Sequence, residues 1–126
     1  MLEKLVSLIR FSFSDNPKTG LAQKIRHFYD LYYLANDLEC AEYIRFAGFQ
    51  KDLVDLIIHD QQEFDEPRDW QTKTVSDSPL FKDFPVLWTS LRSTYQTELF
   101  PLAFIEIPDE KLIAKSFAEM IKYATK

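Results

Sequence analysis

Residues 23–34 read Gln-Lys-Ile-Arg-His-Phe-Tyr-Asp-Leu-Tyr-Tyr-Leu, with Gly20 shortly before them and no proline or glycine inside. Apolar and aromatic side chains recur here at steps of three and four residues, which places them on one stripe of an α-helix: Leu21, Ile25, Phe28, Tyr32 and Ala35. Polar side chains fall on the opposite face, at Arg26, Asp30, Tyr33 and Asp37. We therefore predict a helix from this stretch to about Asn36, with a buried stripe and an ordered polar face.

Five other segments show the same helical spacing, so helices are predicted at residues 1–13, 38–46, 49–64, 86–100 and from Pro108-Asp109-Glu110 onward. Pro101 is expected to end the helix over residues 86–100. The sequence Pro108-Asp109-Glu110 suits the first turn of the last helix. The expected buried positions are Leu2, Leu5, Val6, Leu8, Ile9 and Phe13; Phe49, Leu53, Leu56, Ile57 and Phe64; Leu87, Leu91, Tyr95 and Leu99; Leu112, Ile113, Phe117, Met120, Ile121 and Ala124. Asp60 is expected at a partly solvated helix edge.

The segments between these helices carry turn and loop signals. Residues 14–20 are rich in turn formers, Gly48 interrupts the pattern, and residues 65–84 are polar and show no sustained period. Trp70 is expected to hold that long loop against the body. With only two glycines and no strand-type alternation, the sequence predicts an all-α fold: one domain over residues 1–126, built as a single helical bundle of five or six helices.

Composition excludes several classes of function. A net charge of −5 and a pI of about 5.0 argue against a broad nonspecific nucleic-acid surface, although not against a local basic cleft. The lone Cys40 suits a reducing compartment and is expected to be a small buried apolar residue. No apolar run approaches the length of a membrane span, and no signal peptide is expected at the start, because Glu3, Lys4 and Arg10 break up its apolar residues. The expected location is cytoplasmic.

The sequence contains no complete active site that its own residues identify. Two distant histidines and one cysteine make no zinc cluster, and Gly20 and Gly48 stand alone rather than in a phosphate-binding loop. No two aspartates are separated by a single residue, the usual metal pair of phosphoryl-transfer sites. The polar face of the central helix remains, where Arg26 and Asp30 can pair; it is either a solvated surface or a binding face.

Two segments nevertheless resemble motifs of a known enzyme family. Leu2-Glu3-Lys4-Leu5-Val6-Ser7-Leu8 and Arg26-His27-Phe28-Tyr29-Asp30-Leu31-Tyr32 resemble the third and fourth motifs of the AbiEii/AbiGii toxin family of nucleotidyltransferases. The later chain is similar as well, with a histidine-containing helix around residues 59–64 and Phe117, Met120 and Ile121 in the last helix. The resemblance covers nearly the whole chain and corresponds to the C-terminal helical half of such an enzyme, starting within the third motif.

The resemblance implies roles for four residues. Lys4 matches the catalytic lysine and Asp30 the catalytic aspartate, while Arg26 and His27 are implied to bind substrate. Family members use Mg²⁺ and a nucleoside triphosphate, and the metal-binding acids belong to an α/β half that would precede Met1. Neither ligand is expected on this chain alone. The implied partners are that α/β half, an RNA acceptor and a cognate antitoxin. No membrane partner is expected.

Two hypotheses about function remain: a helical part of a nucleotidyltransferase-type toxin, and a non-catalytic helical binding or interaction module. Under the first, Lys4 and Asp30 should lie on neighbouring helices with their charged ends in one cleft, joined by Arg26 or His27; the alternative is two unrelated surface charges. The strongly apolar first helix further suggests that a missing domain or a second copy normally covers it, so a homo-oligomer through this helix is expected.

Overall fold

The computed structural model describes residues 1–99 and 108–124, and over these it is all-α. The helices, numbered in chain order, are α1 Leu2–Ser12, α2 Pro17–Ala22, α3 Ile25–Ala35, α4 Leu38–Arg45, α5 Gly48–Glu63, α6 Pro79–Lys82, α7 Phe84–Leu99 and α8 Glu110–Ala124. Within these ranges six helices are eight residues or longer, which confirms the predicted bundle of five or six helices. The predicted end of α7 at Phe100 and Pro101 lies outside the described residues.

The stretch that decides the fold forms two helices rather than one. Asn16 caps α2 by accepting a hydrogen bond from the Thr19 backbone N–H, and Pro17 occupies its first turn, so the predicted loop over residues 14–20 is wrong beyond Asn16. Gln23 and Lys24 separate α2 from α3. Because α3 contacts α1, α7 and α8, its buried positions are Ile25, Phe28 and Leu31. The predicted stripe positions Tyr32 and Ala35 are only half-buried.

Aromatic side chains from three helices meet around Phe28. Its ring centroid lies 5.0 Å from that of Phe117 and 5.3 Å from that of Trp88, both in edge-on geometry. Phe84 completes the group, with its centroid 4.8 Å from that of Phe117. Such pairs contribute about 0.5–1.5 kcal/mol beyond the area they bury. The aromatic group therefore fixes α3 against α7 and α8 and sets the direction in which the polar face of α3 points.

Helix α1 is covered by its own chain. Leu5, Val6, Leu8 and Ile9 are fully buried, and α1 contacts α2, α3, α5 and α6. The expected apolar surface on this helix, left open for a missing domain or a second copy, is therefore wrong for these residues. The prediction failed because spacing shows that a helix is apolar on most sides but not which neighbours surround it.

The loop after α5 is held by Trp70 and Arg10. Trp70 is fully buried and donates its indole N–H to the Phe64 carbonyl at 2.8 Å, which confirms that it fixes the loop. Arg10 donates from Nε to the Glu66 carbonyl at 2.7 Å, and its guanidinium lies 4.1 Å from the Phe64 ring centroid. Two 3₁₀ turns, Trp70–Thr72 and Val75–Asp77, and the short α6 follow. The segment is thus ordered around one tryptophan.

Several predicted positions differ in detail. Leu112 and Phe64 are 49% and 43% exposed rather than buried, and Gly48 begins α5 instead of only interrupting the pattern. Cys40 is half-exposed, and partial burial together with nearby Asp37 raises the pKa of its thiol. Asp60 is partly solvated, as predicted.

Candidate functional site

Lys4 and Asp30 form a direct ion pair between α1 and α3. The Lys4 Nζ donates to the Asp30 Oδ2 at 3.0 Å, although the two residues are 26 positions apart in the chain. Lys4 lies in the first turn of α1, immediately before the buried Leu5. Its side chain is 37% exposed and that of Asp30 is 32% exposed, so both charged ends remain reachable from solvent. The structure therefore brings these two residues together, as the sequence analysis expected.

His27 lies one helical turn before Asp30 and is half-buried. Burial lowers the pKa of its imidazole, the Lys4 and Lys24 cations lower it further, and the Asp30 carboxylate opposes them. A lowered pKa favours the neutral ring, which can accept or donate a hydrogen bond at neutral pH. We refer to Lys4, Lys24, His27 and Asp30 together as the lysine–aspartate site.

Lys24 was not singled out by sequence, because its position depends on the break between α2 and α3. Lys24 is the N-cap residue of α3, and its ammonium lies 5.0 Å from the Phe11 ring centroid. A lysine over an aromatic face is stabilised by the electrons of the ring and keeps its charge near the surface. The lysine–aspartate site thus contains two lysines for one carboxylate.

Arg26 is the sequence-predicted site residue that points elsewhere. It is exposed and lines a hollow of about 550 Å³ between α2, α3 and α7, together with Gln23, Thr94 and Glu98. Within residues 1–99 and 108–124, no hydrogen bond joins Arg26 or His27 to Lys4 or Asp30. The pair is therefore direct rather than bridged, and Arg26 faces a different surface from the lysine–aspartate site.

The described residues do not fit a magnesium ion. They contain no group of three or more histidine, cysteine, aspartate or glutamate side chains that could hold a metal. Asp30 already accepts a hydrogen bond from the Lys4 ammonium. Any Mg²⁺ used in catalysis would need ligands from outside this part of the chain, and we assign no metal role to Asp30.

The lysine–aspartate site lies on the surface of the protein, with both charged side chains partly exposed. Lys4 and Asp30 line none of four hollows of about 460–550 Å³ on the described part of the chain. Two of those hollows adjoin one another between α3, α4 and α8, where the exposed Leu38 and Leu112 lie. This groove was not predicted from the sequence, because it depends on which helices are neighbours.

Comparisons with protein-family models, curated proteins and solved structures found no match to this chain. Over the residues that the structure describes, no helix has both the length and the apolar content needed to cross a membrane. Functional inference thus depends on the lysine–aspartate site, on the groove between α3, α4 and α8, and on the resemblance of the two motifs.

Proposed function

We propose that this chain is the helical part of a nucleotidyltransferase-type toxin of the kind that the AbiEii/AbiGii motifs imply, with Lys4 and Asp30 in its transfer site. One observation carries the proposal: two charged residues, 26 positions apart and each in a motif-like segment, meet at 3.0 Å and stay accessible. A surface ion pair contributes only about 0–1 kcal/mol to folding, so stability alone gives little reason for this arrangement.

The geometry suits a supporting role in phosphoryl-type transfer. Such reactions spread negative charge over phosphate oxygens, and a nearby cation stabilises that charge. The Lys4 ammonium is held in place by Asp30 but has donor capacity left, since a lysine carries three N–H groups. Lys24 adds a second cation, and the neutral His27 adds a hydrogen-bonding group. Magnesium, when bound, would neutralise phosphate charge, and its ligands would come from the α/β half.

The same proposal includes the partners and location that the resemblance implies. The substrate is a nucleoside triphosphate, the acceptor is RNA, and a cognate antitoxin opposes the enzyme in the cytoplasm. The described chain on its own is expected to be inactive, because it has no acidic group that fits the metal.

A non-catalytic binding module is the second candidate, and one observation favours it. The groove between α3, α4 and α8 presents exposed leucines and cations at a distance from the lysine–aspartate site. In this alternative, Lys4 and Asp30 only connect α1 to α3.

The coding sequence upstream of Met1 provides the first test. An in-frame or adjacent α/β segment with Gly-Ser and paired aspartates supports the first candidate. The assembled enzyme would then be incubated with labelled nucleoside triphosphates, magnesium and total RNA. We expect Lys4→Ala and Asp30→Ala each to abolish labelling while the fold, followed by circular dichroism, is kept.

Lys51 and Asp55 provide the matched control, because they form an exposed ion pair at 2.8 Å within α5. Lys51→Ala and Asp55→Ala should leave labelling unchanged. If Lys4→Ala and Asp30→Ala retain activity, or if no α/β segment is encoded, the binding-module candidate is favoured instead.

A further inference from the structure

The surface between α3, α4 and α8 forms a groove that the nucleotidyltransferase proposal does not use. A hollow of about 510 Å³ is continuous with a second of about 530 Å³, since both are lined by Arg45, Glu119 and Tyr123. Along α8 the lining extends from Leu112 to Tyr123, which corresponds to about 16 Å at the rise of an α-helix. The groove is long enough to hold about three turns of a helix.

The lining of the groove is mixed, with polar and charged side chains beside two exposed leucines and two buried apolar residues. Leu38 on α4 is 74% exposed and Leu112 on α8 is 49% exposed, and both line the same hollow. Ile44 and Met120 line the same hollow and are 5% and 2% exposed. Single exposed leucines are ordinary on protein surfaces, but two that line one hollow, one from α4 and one from α8, offer apolar contacts to a partner from both helices.

The charges that border the groove are mainly positive, in contrast to the chain as a whole. Arg45, Lys115 and Lys122 line it, against the single acid Glu119. No carboxylate in residues 1–99 or 108–124 lies within ion-pair distance of these three cations. Since the net charge of the chain is −5, a basic border here is a local feature that selects an acidic partner.

We propose that this groove binds an amphipathic helix of a partner protein, with leucine-like residues facing Leu38 and Leu112 and acidic residues facing Arg45, Lys115 and Lys122. An amphipathic helix lying in an apolar groove is a common mode of peptide recognition. The structure offers no strand edge within the described residues, so strand addition has no template here. This inference is independent of the nucleotidyltransferase proposal.

The test uses the full chain labelled with ¹⁵N and two synthetic peptides locked as helices by a side-chain staple. Both peptides carry leucines at steps of three and four, flanked by glutamates in one and by lysines in the other. We expect the glutamate peptide to shift the backbone amide signals of α4 and α8 and to bind at least about tenfold more tightly than the lysine peptide.

Charge reversal in the groove should reverse that preference. The double variant Arg45→Glu with Lys115→Glu should weaken the glutamate peptide and strengthen the lysine peptide, each by about tenfold. The double variant Lys73→Glu with Arg92→Glu changes the net charge equally at exposed positions outside the groove, and it should alter neither affinity. Loss of the preference in both variants alike would mean that only total charge matters and would overturn the proposal.

The apolar part is tested by Leu112→Asp, with Val86→Asp as the control at a residue that is 64% exposed on α7. Leu112→Asp should weaken the glutamate peptide by about tenfold, and Val86→Asp should not. Three other results would refute the proposal. They are amide shifts outside the groove, binding to phosphatidylserine vesicles without binding to the peptide, and a dimer in sedimentation that dissociates on Leu112→Asp.

Discussion

At the scale of single residues, the ion pair between Lys4 and Asp30 is a contact that holds two groups in place without much stabilising the fold. Both side chains are about one-third exposed, so water screens their attraction. The backbone that carries the two side chains is held in place by buried neighbours, Leu5 on α1 and Phe28 and Leu31 on α3. The pair can therefore be removed to test function without loss of the structure that positions it.

We expect a double-mutant cycle on Lys4→Ala and Asp30→Ala, measured by urea unfolding at neutral pH, to give a coupling free energy of about 0.2–1 kcal/mol. The same cycle on the Lys51–Asp55 pair, which is more exposed and lies within one helix, should give a similar or smaller value. A coupling of several kcal/mol would show that the lysine–aspartate pair is a structural requirement and would complicate the activity test.

His27 gives a second prediction, because burial and the two lysines lower the pKa of its imidazole. We expect NMR titration of the ring to give a midpoint below the usual value of 6.5. Lys4→Ala should raise that midpoint by removing a cation, and Asp30→Asn should lower it by removing an anion. A midpoint that does not respond to either change would contradict the closeness of Lys4 and Asp30 to His27.

The same titration has a consequence for stability. As the pH falls below 6.5, the unfolded chain binds a proton at His27 before the folded chain does, so the free energy of unfolding decreases. The loss continues down to the lower folded pKa and then stops. His27→Gln should flatten this part of the urea-unfolding profile, whereas His59→Gln, at an exposed residue, provides the comparison.

At the scale of elements, local spacing predicted α1, α4, α5, α7 and α8 to within a few residues, because each has an apolar stripe that needs no knowledge of its neighbours. Helix α2 was missed because Asn16-Pro17 is both a turn signal and the start signal of a helix. The convergence of Lys4 and Asp30 was expected from the resemblance of the motifs. Lys24 and the groove were not, since both depend on which helices lie side by side.

Gly20 shows why the helix at this point was hard to predict. It lies inside α2, where alanine would favour the helix by about 1 kcal/mol. A Cβ there, however, would lie 2.8 Å from the Phe11 carbonyl of α1 and 2.5 Å from the Ser14 Oγ, which itself donates to that carbonyl. A backbone atom cannot move aside cheaply, so glycine permits the close approach of α1 and α2.

We therefore expect Gly20→Ala to lower the free energy of unfolding by about 1 kcal/mol or more in spite of its helix propensity. Gly48→Ala is the matched comparison, because its Cβ would meet only the ring of Phe46, which is 65% exposed and can turn away. That variant should be neutral or slightly more stable. Equal effects of the two substitutions on urea unfolding would show that helix propensity, not packing, decides both positions.

At the scale of the whole molecule, the buried apolar residues that the structure describes belong to one core cluster, which includes α1, the loop held by Trp70, and the aromatic group around Phe28. Helix α1, which was predicted from the sequence to need a partner, is thus part of the common core. A chain with one core of this size usually unfolds in a single cooperative step.

The last prediction follows from that shared core. Leu5→Ala removes a fully buried side chain from α1 and should lower the free energy of unfolding by about 2–5 kcal/mol. Leu112→Ala, at a half-exposed side chain, should cost far less. Both changes should leave one transition, with circular dichroism and tryptophan fluorescence coincident. The fluorescence reports two regions of the core, Trp70 in the loop and Trp88 on α7. If α1 instead needed an outside partner, Leu5→Ala would have little effect, and a separate early transition would be seen.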